Sequence, residues 1–281
     1  MKKQFAEQYG NLEQWHWWFR GRQRILEAAM RRALTGRESV SIVSLGCGPA
    51  EGLRWLERFA KPMGRVVGVD IELLHACHIA PSIEYVVGSV DALPLATGSF
   101  DVVLALDVLE HLDDDTVGLS EAARLVKENG LLLVTVPALP SLWGGQDVVS
   151  HHRRRYTRKS LLQAFERVGL PVPRVTYFNS FLFPPIAAVR WTRRTLGLAE
   201  RARSDFEDSQ PGLVNEVLAS IFTAEASLVH RVTLPLGVSL LATLRFGASW
   251  NRVSCSLSAQ SVDFSLKLMT LKTRTRGSGG A

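Results

Sequence analysis

Cysteine is scarce in this chain. Its 281 residues include only Cys47, Cys77 and Cys255, whose spacing suits neither a metal cluster nor an even set of pairs. A disulfide scaffold is excluded, and the three read as reduced thiols of a cytosolic protein. Long hydrophobic runs are lacking too. "SFLFPPIAAV" and "VTLPLGVSLLATL" are broken by proline or glycine and fall short of the roughly 20 apolar residues that a membrane-spanning helix needs. No apolar stretch follows the lysines of "MKKQFAEQYG", so that segment reads as mature protein rather than a secretion signal. Acidic residues are outnumbered, leaving a net charge of +6 with basic runs at "HHRRRYTRK", "VRWTRR" and "KTRTR". This balance favours phosphates, acidic lipid heads or nucleic acid as partners, and it equally describes a solvated basic face. The expected location is cytoplasmic, with contact at the inner face of a membrane left open.

What is present is a hydrophobic fraction of 46%, enough for a full core. From about residue 40, apolar runs alternate with helical patterns. "VSIVSLG", "GRVVGVD", "SIEYVVG", "FDVVLALDV" and "LLLVTVP" read as strands, "AEGLRWLERFA" as a helix, and "DDDTVGLSEAARLVKENG" as a helix that stops at Asn129-Gly130. Strands and helices alternating at this spacing predict a doubly wound, mostly parallel α/β sheet. "PRVTYFNSF" reads as a sixth strand and "GVSLLATLRF" as the last, with a helical insertion over about 184–231 between them. The expected layout is an N-terminal helical segment over 1–36, the main domain over 37–246 with this insertion, and a polar tail over 247–281.

Chemistry enters at "VSIVSLGCGPAEG". A buried strand runs into Gly46-Cys47-Gly48 and then a helix, the arrangement in which backbone approaches a ligand at a helix start. The second strand ends in Asp70, where a carboxylate can accept from a ribose diol, and Asp91 in "GSVDALPL" follows the third. "VSLGCGPAEG", "VVGVD", "DALPLATGSFDVV" and "DVLEHL" together resemble the motifs of class I S-adenosylmethionine-dependent methyltransferases, over roughly residues 40 to 140. "HWWFRGRQRIL" and "SLWGGQDVVSHHRRRYTRKSL" resemble accompanying segments of a bacterial subgroup, of the methyltransferase type 11 kind. The resemblance implies a seven-stranded Rossmann-like fold and S-adenosyl-L-methionine as cofactor. It implies that Gly46, Cys47 and Gly48 approach the methionine part, Asp70 the ribose and Asp91 the adenine, with Ile71, Ala92 and Asp107 completing the cofactor set. Two departures stand out: Ser44 replaces the family's acid two positions before the first glycine, and Ala50 replaces its third glycine.

Methyl transfer from a sulfonium is an in-line displacement on an activated electrophile, so the protein mainly aligns, desolvates and, where needed, deprotonates the acceptor. The candidate bases are His152 first, then His111, with His151 and His16 behind them. Glu110 and His111 also fit a packing pair at a helix start. Arg154, Arg155 and Tyr156 are expected to hold a phosphate or carboxylate of the substrate; the alternative is a basic helix start on the rim, with Asp147 pairing an arginine. "WHWWF" is expected to form a flap, with Trp17 and Trp18 over cofactor and acceptor. The alternative is a docked helix with Trp15, Trp18, Phe19, Ile25 and Leu26 on its apolar face.

A dinucleotide oxidoreductase is disfavoured by Glu51, which stands where the third fingerprint glycine belongs. No Asn/Asp-Pro-Pro-aromatic tetrapeptide follows the fourth strand, which disfavours an amino-methylating DNA enzyme, and nucleic acid is not the expected partner. RNA or protein methylation, and a non-catalytic membrane or interaction role for "VRWTRRTLGLAERAR", remain as alternatives. The favoured acceptor is small or lipid-linked and phosphate-bearing, methylated at oxygen.

Overall fold

A computed structural model describes residues 12–72, 82–197, 206 and 209–247; Cys77, Cys255 and the tail expected from 247 lie outside these residues, apart from Gly247 itself. Seven strands form one sheet: β1 (Ile42–Leu45), β2 (Val66–Asp70), β3 (Ile83–Val87), β4 (Phe100–Leu106), β5 (Val126–Pro137), β6 (Arg174–Phe178) and β7 (Ser239–Arg245). Their order is β3-β2-β1-β4-β5-β7-β6. β1 to β5 run parallel, whereas β7 is antiparallel to both β5 and β6. The doubly wound, mostly parallel Rossmann-like sheet expected from the sequence is the fold.

β1 and β4 are buried along most of their length because helices cover both faces of a sheet built this way. Chain order reverses at β1, with β2 on one side and β4 on the other, in the register Leu45↔Val69 and Leu45↔Ala105. Loops leaving β1 and β4 therefore diverge and open a crevice at the carboxyl edge of the sheet.

One face packs on α3 (Asp115–Leu125) and α5 (Arg158–Arg167), through Leu119, Ala122, Leu161 and Phe165. The other is covered by α1 (Trp17–Ala33), which buries Ile25, Leu26 and Met30 against Ile42, Val102 and Leu104. α1 in turn packs on α7 (Leu213–Ala224). The contact is close: a Cβ added to Gly21 would stand 2.0 Å from the Phe222 ring. Between β6 and β7 run α6 (Phe183–Thr195), α7 and the short α8 (Ala226–Val229). Among the described residues, no helix is long and apolar enough to cross a membrane.

Two local expectations are corrected. The helix before β5 ends at Leu125, not at Asn129-Gly130: Val126 is already extended and pairs with Phe100, and Asn129 turns within the strand at φ 59°. "AEGLRWLERFA" forms a 3-10 segment over Ala50–Leu56 and only then an α-helical turn, α2 (Glu57–Ala60). Its N-cap is Pro49, which offers no capping side chain.

Candidate active site

The turn after β1 needs glycine at two places. Gly46 and Gly48 adopt φ 57° and 60°, in the left-handed region. A side chain on Gly46 would press on Val108, 2.8 Å away, whereas the corresponding direction at Gly48 is open space. An uncovered backbone at this position is what a ligand needs in order to approach closely. Asp70 fixes the turn: its Oδ2 accepts from the Gly48 amide at 2.8 Å and its Oδ1 from the Glu72 amide at 3.0 Å. Ile71 beside it is 69% exposed, and Asp91 and Ala92 are exposed beyond β3. Cys47 is no nucleophile, because burial, aided by Asp70 and Glu13, pushes its thiol up and keeps it protonated.

A cavity of about 540 Å³ opens beside this turn, lined in part by Arg20, Arg22, Ser44, Gly46, Cys47 and Trp55. Arg22 crosses from α1 to meet Asp107, at 2.5 Å, on the loop after β4. Asp107 holds φ 56°, a strained value for a non-glycine residue. α1 is thus a wall of the cavity. Trp17 turns its ring toward Phe222, centroids 5.9 Å apart, and Trp18 packs edge-on against Phe19 with the Arg22 guanidinium over its face. Both tryptophans pack against the core beneath α1. The segment is a docked helix whose tryptophan rings meet Phe19, Phe222 and Arg22.

The second half of the site comes from the loops after β4 and β5. Leu109–His111 forms a 3-10 turn, and α4 (Gly145–Val149) starts a segment that folds back over it. Arg153 donates its amide to the Glu110 carbonyl and its Nε to that of His111, and Arg154 donates to the carbonyls of Leu112 and Asp113. Arg155 reaches the buried Asp147 at 2.8 Å and the Ala138 carbonyl at 2.9 Å, while the Tyr156 hydroxyl donates to Asp115. The donors of Arg153, Arg154 and Tyr156 thus strap this segment to the loop after β4 and to α3, and Arg154, Arg155 and Tyr156, expected from the sequence to hold an anion, also line a second cavity with Ser160 and Arg167.

Asp147, which the sequence reading gives only to an arginine, also accepts from Nδ1 of His152 at 2.9 Å. Burial opposes its ionisation, but the hydrogen bonds from His152 and Arg155 and the charges of Arg155 and Arg190 prevail, holding it at about 2. An ionised carboxylate only accepts, so Nδ1 of His152 carries a hydrogen, and in the neutral ring the lone pair is on Nε2. That lone pair faces His111, whose ring lies 4.8 Å away edge to face, and Glu110, whose Oε1 is 3.9 Å from Nε2. Glu110 is fully buried, and neither of its carboxylate oxygens has a hydrogen-bond partner. Burial, reinforced by the charge of Asp107, pushes it well above the usual carboxylate range.

Comparison with known proteins agrees with this geometry. Residues 43–134 match the methyltransferase domain family, and the chain carries a class I S-adenosylmethionine-dependent methyltransferase domain. It is 28% identical over 162 residues to a probable S-adenosylmethionine-dependent methyltransferase of Mycolicibacterium smegmatis, covering 56% of this chain and 60% of that one. It is also 28% identical over 175 residues to an uncharacterised 37.1 kDa protein of a Streptomyces fradiae transposon, covering 59% and 50%. The chain thus spans half to three-fifths of the length of these relatives. Among solved structures, the Haloferax volcanii complex between the Trm112 methyltransferase activator and a proposed methyltransferase contains a chain that superposes with a TM-score of 0.54 at 20% identity, covering 86% of this chain and 94% of that one. S-adenosylmethionine is the cofactor implied by this domain. The open backbone at Gly48, the Asp70 carboxylate and the exposed Ile71 fit its polar and flat apolar parts.

Proposed function

We propose that the chain transfers the methyl group of S-adenosylmethionine to an oxygen of a small-molecule acceptor. One observation carries the reading: a glycine turn locked to Asp70 shares the carboxyl edge of the sheet with a histidine whose free nitrogen is pre-aimed by a buried aspartate. The cofactor supplies an already activated methyl group, so the protein's task is to bind, align and exclude water. Gly46, Cys47 and Gly48 lie against its methionine part, Asp70 against the ribose and Asp91 against the adenine, with Ile71, Ala92 and Asp107 around them. Arg22, held by Asp107, lines the cavity together with Ser44, the residue that replaces the family acid. His152, with His111 and Glu110, is the polar group in position to deal with the acceptor's hydroxyl proton.

Oxygen as the methylated atom is supported by the name of a relative, the ubiquinone biosynthesis O-methyltransferase of Azorhizobium caulinodans, which is 32% identical over 111 residues, or 37% of this chain and 43% of that one. A lipid-linked acceptor, met at a membrane face, is supported by the exposed apolar stripe of Leu213, Val217 and Ile221 along α7.

Titration calorimetry with S-adenosylmethionine tests the reading. The chain should bind, and Asp70→Ala should bind about ten- to a hundredfold more weakly, as expected for loss of charge-assisted hydrogen bonds. Incubation with methyl-labelled cofactor and fractionated bacterial extracts should then place label in one class of small or lipid-linked compound. A folded chain that binds no S-adenosylmethionine would reject the proposal.

A further inference from the structure

We propose that Glu110, His111 and His152 form a binding site for one divalent transition-metal ion of the zinc type, beside the acceptor. The inference deepens the methyl-transfer reading and rests on it for the role of the ion. Its basis is geometry. One donor atom from each residue can be chosen so that all lie within 4.8 Å of one another. The 3.9 Å between His152 Nε2 and Glu110 Oε1 is too long for a hydrogen bond, yet a single ion with bonds of roughly 2.0–2.2 Å to nitrogen and oxygen bridges it.

Charge supplies the second observation. Glu110 is fully buried with both carboxyl oxygens unpartnered, a state in which the group keeps its proton unless a cation meets it and stabilises the carboxylate. The guanidinium groups whose fields reach it are those of Arg22 and Arg155, and each is already in contact with another carboxylate, Asp107 and Asp147 respectively. A third feature orients the donor. Asp147 fixes the Nδ1 hydrogen of His152 and leaves Nε2 as the donor, the carboxylate–histidine–metal arrangement by which proteins set the tautomer and direction of a ligating imidazole. The strap from Arg153 to the Glu110 and His111 carbonyls holds the two loops together, so the fold itself sets the spacing.

Two imidazoles and one carboxylate, with no thiolate, are the donor set of catalytic zinc-type sites, which keep a position open. At that position the ion takes the acceptor's oxygen and lowers the pKa of its hydroxyl. The hydroxyl proton goes to solvent water, the oxygen forms its bond to the methyl carbon, and the carbon–sulfur bond breaks with its electron pair staying on sulfur as a neutral thioether. His152 then serves as a ligand, and the ion takes the place of a protein base.

The test uses the untagged full chain, stripped with a chelator and titrated with Co2+ while visible absorbance and calorimetry are followed. The expected result is one ion per chain with the absorbance of nitrogen–oxygen coordination. Glu110→Gln and His111→Gln should each weaken binding at least tenfold, and Asp147→Asn should weaken it about ten- to a hundredfold by loosening the hydrogen bond that aims His152. His111 is exposed, so its replacement does not threaten folding. The site is overturned if the wild-type chain takes up no stoichiometric Co2+ while still binding S-adenosylmethionine, or if His111→Gln and Asp147→Asn bind Co2+ as well as wild type. Stoichiometric Co2+ uptake without S-adenosylmethionine binding would leave the metal site standing and remove the methyl-transfer reading.

Discussion

His16 and His152 are sheltered imidazoles with the same first half of a story. In each, Nδ1 is engaged by a near neighbour in sequence: the Trp18 amide donates to that of His16 at 3.2 Å, and that of His152 donates to Asp147. They part at the second nitrogen. His16 Nε2 meets the Ser209 hydroxyl at 3.0 Å, so both nitrogens are used and the residue does no more than cap α1. Nε2 of His152 is left facing a buried, unpartnered carboxylate across a gap. Burial alone does not separate a structural histidine from a reactive one, since His16 is the more buried of the two. The free lone pair does.

Substitution should separate the two regions most sharply in turnover. His152→Ala should lower methyl transfer by roughly 10² or more, whether the imidazole takes the acceptor's proton itself or holds the ion that does its work, with S-adenosylmethionine affinity near normal by calorimetry. Loss of affinity on the same scale as turnover would place His152 in the cofactor site and dissolve the contrast. His16→Asn, which keeps a capping acceptor, should leave turnover unaltered at temperatures where the protein is folded.

Acid should act on His16. Burial lowers it from 6.5 to about 4, so the unfolded chain holds the extra proton between those values. The stability contributed by its neutral form is complete above about pH 6.5 and is lost as pH falls toward 4. The loss amounts to about 3 kcal/mol at the conversion of 1.36 kcal/mol per unit. Urea unfolding at several pH values, with His16→Asn as reference, measures it; equal slopes in the two proteins would show that the cap is not proton-linked.

A smaller effect is expected at Gly21, where Ala must push the Phe222 ring aside. The cost should be roughly 1–3 kcal/mol of stability, as for overpacked cores. A gain in stability would mean that α1 and α7 slide apart more easily than their packing indicates. Smallest is Arg154→Ala, which removes bonds to two loop carbonyls and should shift stability by about 1 kcal/mol. Its KM for the acceptor should not change. A large rise in KM would return Arg154 to substrate binding.

The strands and the glycine turn were legible because they are local: β1 to β5 are short apolar runs, and Gly46 and Gly48 punctuate one of them. The helix end at Leu125 was not, because what ends it is the pairing of Val126 with Phe100, a contact between separate parts of the chain. The same holds in the site. "SHHRRRYT" reads equally as an anion-holding group or a basic helix start, because the acceptors of Arg153 and Arg154 lie in the loop after β4 and that of Tyr156 in α3. The tryptophans of "WHWWF" read equally as flap or docked helix until α7 supplies Phe222. Asp147 lies five positions before His152, and only the chain reversal after α4 turns that spacing into a hydrogen bond.

Asn215 accepts from the Trp17 amide and donates to the Trp15 carbonyl, at 2.8 and 2.9 Å. That small clasp has a consequence in time. During synthesis the strands β1, β2 and β4 and the turn at Gly46 all emerge while α7 is still unmade, so the first turn of α1 stands without its clasp after the sheet that holds the rest of the helix has formed. The cofactor edge is assembled first and its wall is closed last. Nascent chains stalled before Asn215 leaves the ribosome should accordingly be cut by protease within α1 and spared in the sheet, whereas released chains should be spared in both.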